Sequence, residues 1–571
     1  MATFKKAFFQ GLWKLAKDYW QSEEKWKAYG LLIVVALLNF FGVYILILIN
    51  EWYNSFYNAL QEYNQVAFWD LVAKFLLLAL IYIFSAVYAL YLRQMLEINW
   101  RNWMTKQYLS RWLQVQTYYK MQVVSDNTDN PDQRISEDIK LFTNLTLQLL
   151  MGFLKQLAIL VAFIVVLWRL SGEFNVVIAG QNVTIYGYMV WLSLIYAVIG
   201  TWLTAKIGKP LIQLNYNQQR YEADFRFDMV RLRENSESIA FYGGEEIENN
   251  IFKAKFAHIF NNFRALMRYQ KRLTWFTNGY GQLAVIFPLL LGAPRYFSGK
   301  IQLGGLMQIA SAFGRVQDAL SFFVDSYATL AEWVAVVKRI TDFSDNMEQT
   351  LQLQSKISFE NNKNDNLLID KMEVQLPQGN VLIKDLNLNI KQGDKLLITG
   401  ASGCGKSTFL RTLAGLWPFG TGLVQLREGD KKIFLPQKPY LPLGSLQSAL
   451  AYPQAELDLT VKEFEEVLIK CSLSHLRAKL TESDDWSRIL SLGEQQRVAF
   501  ARTLLYKPQW IFLDEATSAL DGQTEETMYE LLAKELPDSA VISIGHRNTL
   551  RKYHQYNLQI DNTGQWILEK I

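Results

Sequence analysis

The chain has 571 residues, of which 50% are hydrophobic, 14% aromatic and 20% charged. This length is too great for one ordinary domain, so we expect at least two. The formal net charge of +4 is small and the Lys and Arg residues are spread along the chain, so the composition gives no support for a nucleic-acid partner and we expect none.

Residues 1–28 are predicted to form an amphipathic helix on a membrane surface. Apolar and basic residues alternate there at helical spacing: Phe4, Phe8, Leu12 and Leu15 against Lys5, Lys6, Lys14 and Lys17. The stretch lacks the continuous apolar core and small-residue cleavage site of a secretory signal. The alternative is an ordinary surface helix of a protein domain.

A transmembrane domain of six helices is predicted over residues 29–345. The first four segments are strongly apolar and long enough to cross a hydrocarbon core. The fifth is interrupted by Pro288 and Pro294, and the sixth is more polar. The predicted spans are about 30–50, 75–95, 148–168, 186–206, 279–298 and 305–325.

The charges of the connections predict the orientation of these spans. The loop 51–70 has three acidic residues and no Lys or Arg, whereas the N-terminal segment and the connections 96–147 and 206–278 are rich in both. We therefore expect the N-terminus, both long connections and everything after the sixth span in the cytoplasm. The connections keep a helical pattern, so helices two to five are expected to extend far beyond the bilayer.

The sixth segment carries a polar face. Its polar residues step by 7, 3, 7 and 7 positions, which places them on one side of a continuous helix; they are Gln308, Arg315, Asp318, Asp325 and Glu332. Charges at membrane depth usually face water or each other. The first three are therefore candidates for lining a cavity that holds cargo, whereas the last two fit equally well as ordinary ion pairs below the membrane.

A polar linker is predicted at 346–366, followed by an α/β domain at 367–571. Its two cysteines, Cys404 and Cys471, exclude a disulfide framework and favour a reducing cytosolic setting. The stretch "GDKLLITGASGCGKSTFLRTL" predicts a strand, a P-loop and a helix that together hold nucleotide phosphates. Lys406 would reach the β- and γ-phosphates, and Ser407 would bind Mg²⁺. The predicted binding residues are Gly400, Ala401, Ser402, Gly403, Cys404, Gly405, Lys406, Ser407 and Thr408.

The stretch "QWIFLDEATSALD" predicts a second buried strand that ends in two carboxylates. Asp514 is placed to hold Mg²⁺, and Glu515 is the candidate to orient and polarise the attacking water. Three further candidates occur in a consistent order around the P-loop. Gln437 could touch Mg²⁺ or the water, His546 could reach a γ-phosphate, and Asp521 ends the "SALD" stretch.

A second anion site is predicted at "LSLGEQQR", residues 490–497. A hydroxyl, free backbone N–H groups and a helix dipole would point the same way at the start of that helix. The candidate residues are Ser491, Gly493, Glu494 and Gln495. The sequence therefore contains two phosphate-binding elements.

The ordered motifs of the α/β domain resemble the ATP-binding domain of ABC transporters. Together with six preceding helices, they resemble an exporter-type half-transporter over essentially the whole chain. "DNPDQRISEDI" (129–139), "SESIAFYGGEEIE" (236–248), "GLW" (415–417) and "DDWSRILSLGEQQR" (484–497) further resemble subfamily D and its YddA-like and BacA-related bacterial relatives.

This resemblance implies ATP and Mg²⁺ as cofactors and a homodimer in a bacterial inner membrane, in contact with lipid. The "LSLGEQQR" element of one chain would face the P-loop of the second copy, and the ends of the long connections would dock on the ATPase domain. The implied activity is ATP-driven, alternating-access transport of a hydrophilic or amphipathic solute, such as a peptide, a cobalamin-like molecule or an acyl-CoA-like molecule. The alternative is a membrane-anchored ATPase that regulates or chaperones a partner without moving solute.

Two positions depart from the family pattern. Leu492 stands where the signature usually has glycine, which puts the approach of the backbone to the nucleotide in doubt. Leu376 and Pro377 lie where most ABC ATPases have an aromatic residue that stacks on adenine. We therefore expect looser recognition of the base.

Overall fold

The chain forms two compact units in a computed structural model. The structure describes residues 2–124, 130–178, 181–352, 355–454 and 459–571. One unit comprises Met1–Ser110 and Asp129–Ser344, and the other comprises Arg111–Thr128 and Asp345–Ile571. The first unit thus contains the predicted membrane helices. The second contains the predicted α/β domain together with a short segment of the first long connection.

Long helices dominate the first part of the chain. In chain order they are α1 (Ala2–Trp20), α2 (Lys25–Gln61), α3 (Gln65–Leu113), α4 (Thr117–Val124), α5 (Pro131–Gln133), α6 (Ile139–Ser171), α7 (Tyr188–Glu234), α8 (Ser236–Tyr242), α9 (Glu245–Phe297), α10 (Leu303–Asp325) and α11 (Tyr327–Leu351). A π-helical turn, Arg134–Asp138, joins α5 to α6. Among the described residues, α2 and the helical stretches 65–124, 131–171 and 188–234 are long and apolar enough to cross a membrane.

The predicted helical extensions are confirmed. A membrane span needs about 20 residues, whereas α3, α7 and α9 have 49, 47 and 53. The prolines predicted to interrupt the fifth span do not end it, because α9 runs through both Pro288 and Pro294. Membrane helices tolerate proline where neighbouring groups satisfy the freed carbonyls.

The helices of the first unit share an apolar core. Its fully buried members come from α2, α6, α7 and α10, and include Val43, Phe163, Leu167, Met189, Phe313 and Val316. Other large apolar side chains, such as Leu37, Leu76 and Leu80, are exposed on α2 and α3. Exposed apolar side chains on membrane-length helices are what contact with lipid requires.

Helix α1 packs against the helical bundle through one face. Leu15 and Tyr19 are buried, and the ring of Tyr19 stacks on Trp100 of α3 with centroids 5.5 Å apart. Phe9 and Trp13 are exposed on another face. The N-terminal helix therefore has two apolar faces. One packs against the protein, and the other is exposed and available to lipid.

A β-hairpin lies in the predicted loop between helices three and four. Strand β1 (Glu173–Ile178) pairs antiparallel with β2 (Gln181–Tyr186). The sixth predicted segment also differs from the expectation. Helix α10 ends at Asp325 and α11 begins at Tyr327, so Glu332 lies on a separate helix from Gln308. The side chain of Asp325 lies outside the described part of the chain.

The second unit has two main sheets. Its strands are β3 (Lys356–Asn361), β4 (Asn366–Gln375), β5 (Val381–Lys391), β6 (Lys395–Gly400), β7 (Gly420–Leu426), β8 (Lys432–Leu435), β9 (Gly444–Ser445), β10 (Ser483–Asp484), β11 (Trp510–Asp514), β12 (Ala540–Ile544), β13 (Tyr556–Ile560) and β14 (Trp566–Lys570). One sheet has the order β14-β13-β6-β12-β11-β8, and the other has the order β3-β7-β4-β5. The predicted linker at 346–366 was wrong, because β3 pairs with β7 and buries Ile357 in the domain core.

Helices cover the six-stranded sheet. They are α12 (Lys406–Leu413), α13 (Leu446–Ala451), α14 (Val461–Lys470), α15 (Trp486–Ile489), α16 (Leu492–Tyr506) and α17 (Gly522–Glu535). Strand β11 is buried along Trp510–Leu513 and pairs in parallel with β8 and β12. Its near-continuous apolar run is the pattern of a parallel strand covered on both faces. The predicted fold class is confirmed.

Candidate functional site

The sheet order brings the predicted ATP-site residues to one edge. Strands β6, β12, β11 and β8 are neighbours and run parallel, so their carboxyl ends meet on the same side. The P-loop follows β6, His546 follows β12, Asp514 and Glu515 end β11, and Gln437 follows β8. Ligands of open α/β sheets bind in the crevice at these ends.

Glycines allow the P-loop to turn tightly between β6 and α12. Gly400 has φ of +150°, and a Cβ there would lie 2.2 Å from the carbonyl oxygen of Ile560. Gly405 has φ of +106° and begins α12. The buried Lys406 donates from Nζ to the carbonyl oxygens of Gly400 (2.9 Å) and Ala401 (2.8 Å). The loop therefore curls around the lysine ammonium, as phosphate binding requires.

Two predicted Mg²⁺ ligands are in direct contact. Ser407 donates its hydroxyl to Asp514 Oδ1 at 2.8 Å. Burial raises the pKa of the Asp514 carboxyl, and the neighbouring Glu515 adds to this, while the bond from Ser407 opposes it. Within the described residues, no cluster of three or more His, Cys, Asp or Glu forms a metal cage. A hydroxyl and one carboxylate suit Mg²⁺, which usually completes its shell with water and substrate phosphates.

Two side chains hold the carboxylate of Glu515. Gln437 Nε2 donates to Oε2 at 3.2 Å, and His546 Nε2 lies 3.2 Å from Oε1. The backbone of Glu515 has φ of +51°, and its N–H donates to the carbonyl oxygen of Ile544. Left-handed backbone in a non-glycine residue is a strained conformation that is frequent at active sites. The geometry fixes Glu515 at the carboxyl edge of the sheet.

The "LSLGEQQR" stretch begins α16 with a capping box. Ser491 accepts from the backbone N–H of Glu494, and the Glu494 carboxylate accepts from the N–H and hydroxyl of Ser491. Burial opposes the shift, but these hydrogen bonds lower the pKa of Glu494 below its usual value. His475 Nε2 lies 2.9 Å from Glu494 Oε1. Ser491 and Leu492 are exposed at the start of the helix.

Gln495 is placed differently from Ser491. Its side chain is buried, and Nε2 donates to the carbonyl oxygens of Ser487 (2.8 Å) and Leu490 (2.9 Å). In this conformation Gln495 holds the loop that precedes α16 and does not reach the exposed surface at Ser491. Each step along a helix turns the side chain by about 100°, which is why neighbouring residues of one motif face different ways.

Sequence reasoning missed Gln496, which is fully buried and joins helix α16 to two loops. Its Nε2 donates to the carbonyl oxygen of Gln437 (2.8 Å) and to Ser518 Oγ (3.2 Å), while its Oε1 accepts from the N–H of Ala519 (3.0 Å). The signature helix, the Gln437 loop and the "SALD" stretch are thereby tied together. An available signal was its spacing of three and four from the apolar Ala499 and Phe500.

We expect Gln496→Ala to lower ATP turnover by about tenfold, since it leaves buried N–H and C=O groups without partners. The same loss should destabilise the ATPase domain by about 1–3 kcal/mol. ATP hydrolysis and thermal unfolding of the purified chain measure the two effects. Gln565→Ala, at an exposed glutamine, is the matched control, and equal behaviour of the two variants would contradict the role of Gln496.

The "SALD" stretch lies against the signature helix. A Cβ at Gly493 would come within 3.1 Å of the carbonyl oxygen of Ala519. Asp521 caps α17 by accepting from the N–H and hydroxyl of Thr524. These bonds lower the pKa of the Asp521 carboxyl. Asp521 therefore sets where α17 begins.

The position expected to hold an adenine-stacking aromatic is apolar. Leu376 packs against a core cluster to which both sheets contribute, and Pro377 is exposed. Trp417 of the "GLW" stretch donates its indole N–H to the carbonyl oxygen of Gln375. This part of the domain thus anchors Trp417 on the strand that precedes the P-loop.

The polar residues of α10 differ in burial. Gln308 is buried at the contact with α2, where its backbone and side-chain oxygens accept from Asn50 (3.0 Å) and Asn54 (2.9 Å). The prediction that Gln308 lines a cavity was therefore wrong. Asp318 is exposed and Arg315 is half-buried. Seven residues are nearly two turns of a helix, so Gln308 and Arg315 point in nearly the same direction but lie about 10 Å apart along the axis, where their neighbours differ.

A groove of about 670 Å³ follows one face of α9. Polar and aromatic side chains at helical spacing line it, including Gln270, Lys271, Thr274, Trp275, Asn278 and Gln282. Gln282 and Asp318 are equally far from the connection between α9 and α10, so the two antiparallel helices carry them at the same level. The sequence interpretation missed this stripe, although its spacing of three and four residues was visible.

The chain matches two families described as components of one transport system. Residues 15–297 match "ABC transporter transmembrane region 2", and residues 383–518 match "ABC transporter". A solved structure of a bacterial Atm1-family ABC exporter with ATP bound superposes with a TM-score of 0.72 at 17% identity. It covers 95% of this chain and 94% of that one. The helical membrane domain followed by a P-loop ATPase domain thus has the exporter-type fold.

Relatives align over nearly the full length. An uncharacterized ABC transporter ATP-binding protein of Haemophilus influenzae is 38% identical over 97% of this chain and 92% of its own. The inner membrane ABC transporter ATP-binding protein YddA of Escherichia coli is 35% identical, over 93% and 94%. The chloroplastic ABC transporter D family member 2 of Arabidopsis thaliana is 32% identical, over 99% and 89%. Fold and site define an integral membrane protein with an ATP-binding domain. The chain belongs to the ABC transporter family of ATP-driven transporters.

Proposed function

We propose that the protein works as a homodimer that uses ATP to move a hydrophilic or amphipathic solute by alternating access. The observation that carries this proposal is the face of α10 with Arg315 and Asp318. Charged groups at membrane depth are costly and usually line a water-filled path. Gln282, at one end of the groove on α9, lies at the same level as Asp318 and is a further polar candidate for this path. Peptides, cobalamin-like molecules and acyl-CoA-like molecules are the candidate cargo.

The P-loop residues Gly400–Thr408 are proposed to wrap the ATP phosphates. Lys406 would neutralise the β- and γ-phosphates. Ser407 and Asp514, in contact at 2.8 Å, would hold Mg²⁺ together with the amide oxygen of Gln437. A cation there would neutralise negative charge on the phosphates.

Glu515 is proposed to orient and polarise the attacking water, and His546 to contact the γ-phosphate. Phosphoryl transfer depends mostly on positioning and on charge stabilisation. The support is the placement of the Glu515 carboxylate between Gln437 and His546. Gln437 holds one carboxylate oxygen and His546 lies against the other, so this geometry restricts the rotation of the proposed base.

The second copy of the chain is proposed to complete each ATP site. Ser491 is the exposed N-cap of α16, and Gly493 and Glu494 are half-buried in its first turn, where helix N–H groups favour an anion. Asp521 would approach the same nucleotide, whereas Gln495 and Gln496 would hold the signature loop in place. Each chain would then contribute a P-loop to one site and a signature to the other.

The cytoplasmic ends of the helices are proposed to dock on ATPase domains. Residues 111–128 group with the second unit, and Val123 packs against the core cluster that its two sheets share. Helix α8 ends with Phe241 and Tyr242, which are 82% and 88% exposed. Two adjacent exposed aromatic residues suit a protein interface. We propose that they bind the ATPase domain of the second copy.

We propose that α2, α3, α6, α7, α9 and α10 are the six membrane spans. The loop 51–70 has no Lys or Arg, whereas the long connections are rich in both, which supports a cytoplasmic N-terminus and ATPase domain. A bacterial inner membrane is the proposed location. The E. coli relative named as an inner membrane protein supports it.

Transport is tested with the purified protein in sealed liposomes. We expect ATP-dependent movement of at least one of three labelled solutes: a peptide, cobalamin or an acyl-CoA. The solute that moves should also stimulate ATP turnover. Arg315→Ala and Asp318→Asn are expected to raise its half-saturating concentration by about tenfold, as loss of a charged hydrogen bond does.

The chain with Glu515→Gln is the inactive control for flux. Lack of flux and of stimulation with all three solutes, in a preparation that hydrolyses ATP, would favour a membrane-anchored ATPase that acts on a partner. Unchanged flux in both the Arg315 and the Asp318 variants would still support transport. It would contradict the proposal that the polar face of α10 lines the cargo path.

A further inference from the structure

The chain passes between its two units at three places. It leaves the first unit within the last turn of α3, returns before the turn that precedes α6, and leaves again within α11. These three passages are the covalent routes by which motion of the ATPase domain can reach the first unit. Their attachment to one another inside the first unit decides whether they move together.

A buried carboxylate joins two of the passages. Asp138 ends the π-helical turn before α6 and is 1% exposed. Arg339 of α11 donates to both of its oxygens, at 2.9 Å from Nε and 2.5 Å from Nη2. Arg134, one turn earlier, donates to Oδ2 at 2.7 Å. A bidentate arginine fixes both distance and orientation, so the start of α6 and α11 are held in one register.

The third passage is attached to the other two. Near the end of α3, Arg101 Nη2 donates to the carbonyl oxygen of Ser136 within the π-helical turn. Further along α3, the buried ring of Tyr108 stacks on Phe343 of α11. Helices α3, α6 and α11 therefore meet around the turn that contains Asp138.

The local backbone is also unusual at this point. The segment Arg134–Asp138 has π-helical hydrogen bonding, and single π-turns are frequent at functional sites. The π-turn shifts the helix register and places Asp138 inward while Glu137, its neighbour, is exposed. A simple helix cap would not need a buried carboxylate with two arginines.

We propose that Asp138 is a positioning residue for energy coupling. Its carboxylate, held by Arg134 and Arg339, makes the three passages move as one body, so that closure of the ATPase domains is transmitted to the membrane helices. Asp138 takes no part in ATP hydrolysis. This role rests on the proposed ATP-driven transport cycle and adds the residue through which hydrolysis and membrane motion are linked.

The test compares ATP turnover with membrane-domain motion in the full-length protein in lipid nanodiscs. Tyr63, which is 94% exposed in the connection between α2 and α3, is replaced by cysteine and spin-labelled. The distance between the labels of the two copies is measured with and without ATP and vanadate. The native cysteines, Cys404 and Cys471, are buried, which limits their labelling.

We expect Asp138→Asn to keep ATP turnover within about threefold of the parent, while the fraction of molecules that change label distance falls about tenfold. Glu137→Gln, at the exposed neighbour, should behave as the parent in both measurements. Arg339→Lys, which keeps the charge but loses the two-pronged contact, should give an intermediate loss of motion. Thermal unfolding checks that each variant is folded.

Three results would overturn the proposal. Unchanged motion in both Asp138→Asn and Arg339→Lys would show that the ion cluster does not couple. An equal loss of ATP turnover and motion in both variants would show a residue that only maintains the fold. Absence of ATP-dependent motion in the parent protein would contradict the proposed transport cycle, and the role of Asp138 that rests on it.

Discussion

The variant Glu515→Gln is expected to lower steady-state ATP hydrolysis by about 100-fold or more, the loss typical of a removed general base. ATP binding should stay within about threefold, because the P-loop contacts of Lys406 and Ser407 do not depend on the Glu515 carboxylate. Gln has the same length and can still accept from Gln437. The change therefore removes charge and basicity with little change of shape. Turnover and nucleotide affinity of the purified protein give both numbers.

The matched control is Glu530→Gln, at an exposed carboxylate of α17 in the same domain. It should leave turnover unchanged. Near-normal turnover in Glu515→Gln would assign the base to another group at the sheet edge, and His546 would be tested next. A loss of ATP affinity equal to the loss of turnover would indicate that Glu515 supports the fold of the P-loop.

Local patterns predicted most of the fold, and the structure brings most of the candidate ATP-site residues to one edge of the sheet. The spans of α2, α3, α6 and α7 follow from runs of apolar residues, which need no knowledge of their neighbours. The P-loop could be predicted because a glycine turn between a buried strand and a helix has one dominant use. Asp514 and Glu515 could be predicted as site residues because they directly follow an apolar strand, whose carboxyl end lies at the edge of the sheet where ligands bind.

The errors occurred where the partner is distant in sequence. The stretch around β3 is polar enough to predict a linker, but its pairing with β7, about 65 residues later, makes it part of a sheet. Gln308 has the spacing of a cavity residue, but Asn50 and Asn54 on another helix bind it. Neither pairing leaves a signal in the local pattern.

The signature motif shows a third kind of limit. Ser491, Gln495 and Gln496 follow closely in sequence, yet the first is exposed and the other two are buried with different partners. A motif match indicates the function of a segment, but not which of its residues face the ligand. The role of each residue depends on its rotation around the helix axis and on which loops lie beside it.

Ser491→Arg is expected to abolish ATP trapping by the dimer, with a loss of about 100-fold, because it places a bulky cation at the start of α16 where the nucleotide of the second copy would bind. Lys406→Ala should cause a similar loss by removing the phosphate contact. Nucleotide trapped with vanadate in the purified protein measures both. Each variant alone would therefore contain no competent site.

Mixing the two variants separates a shared site from a self-contained one. In a two-fold dimer with shared sites, the mixed pair places both defects in one site and leaves the other with an intact Lys406 and an intact Ser491. On random reassembly about half of the dimers are mixed, so trapping should recover to about a quarter of the wild-type level. If each chain bound ATP with its own signature, every site in the mixture would carry one defect and trapping would stay at the level of the separate variants. Recovery in the mixture thus requires that Ser491 of one chain acts on the nucleotide held by Lys406 of the other.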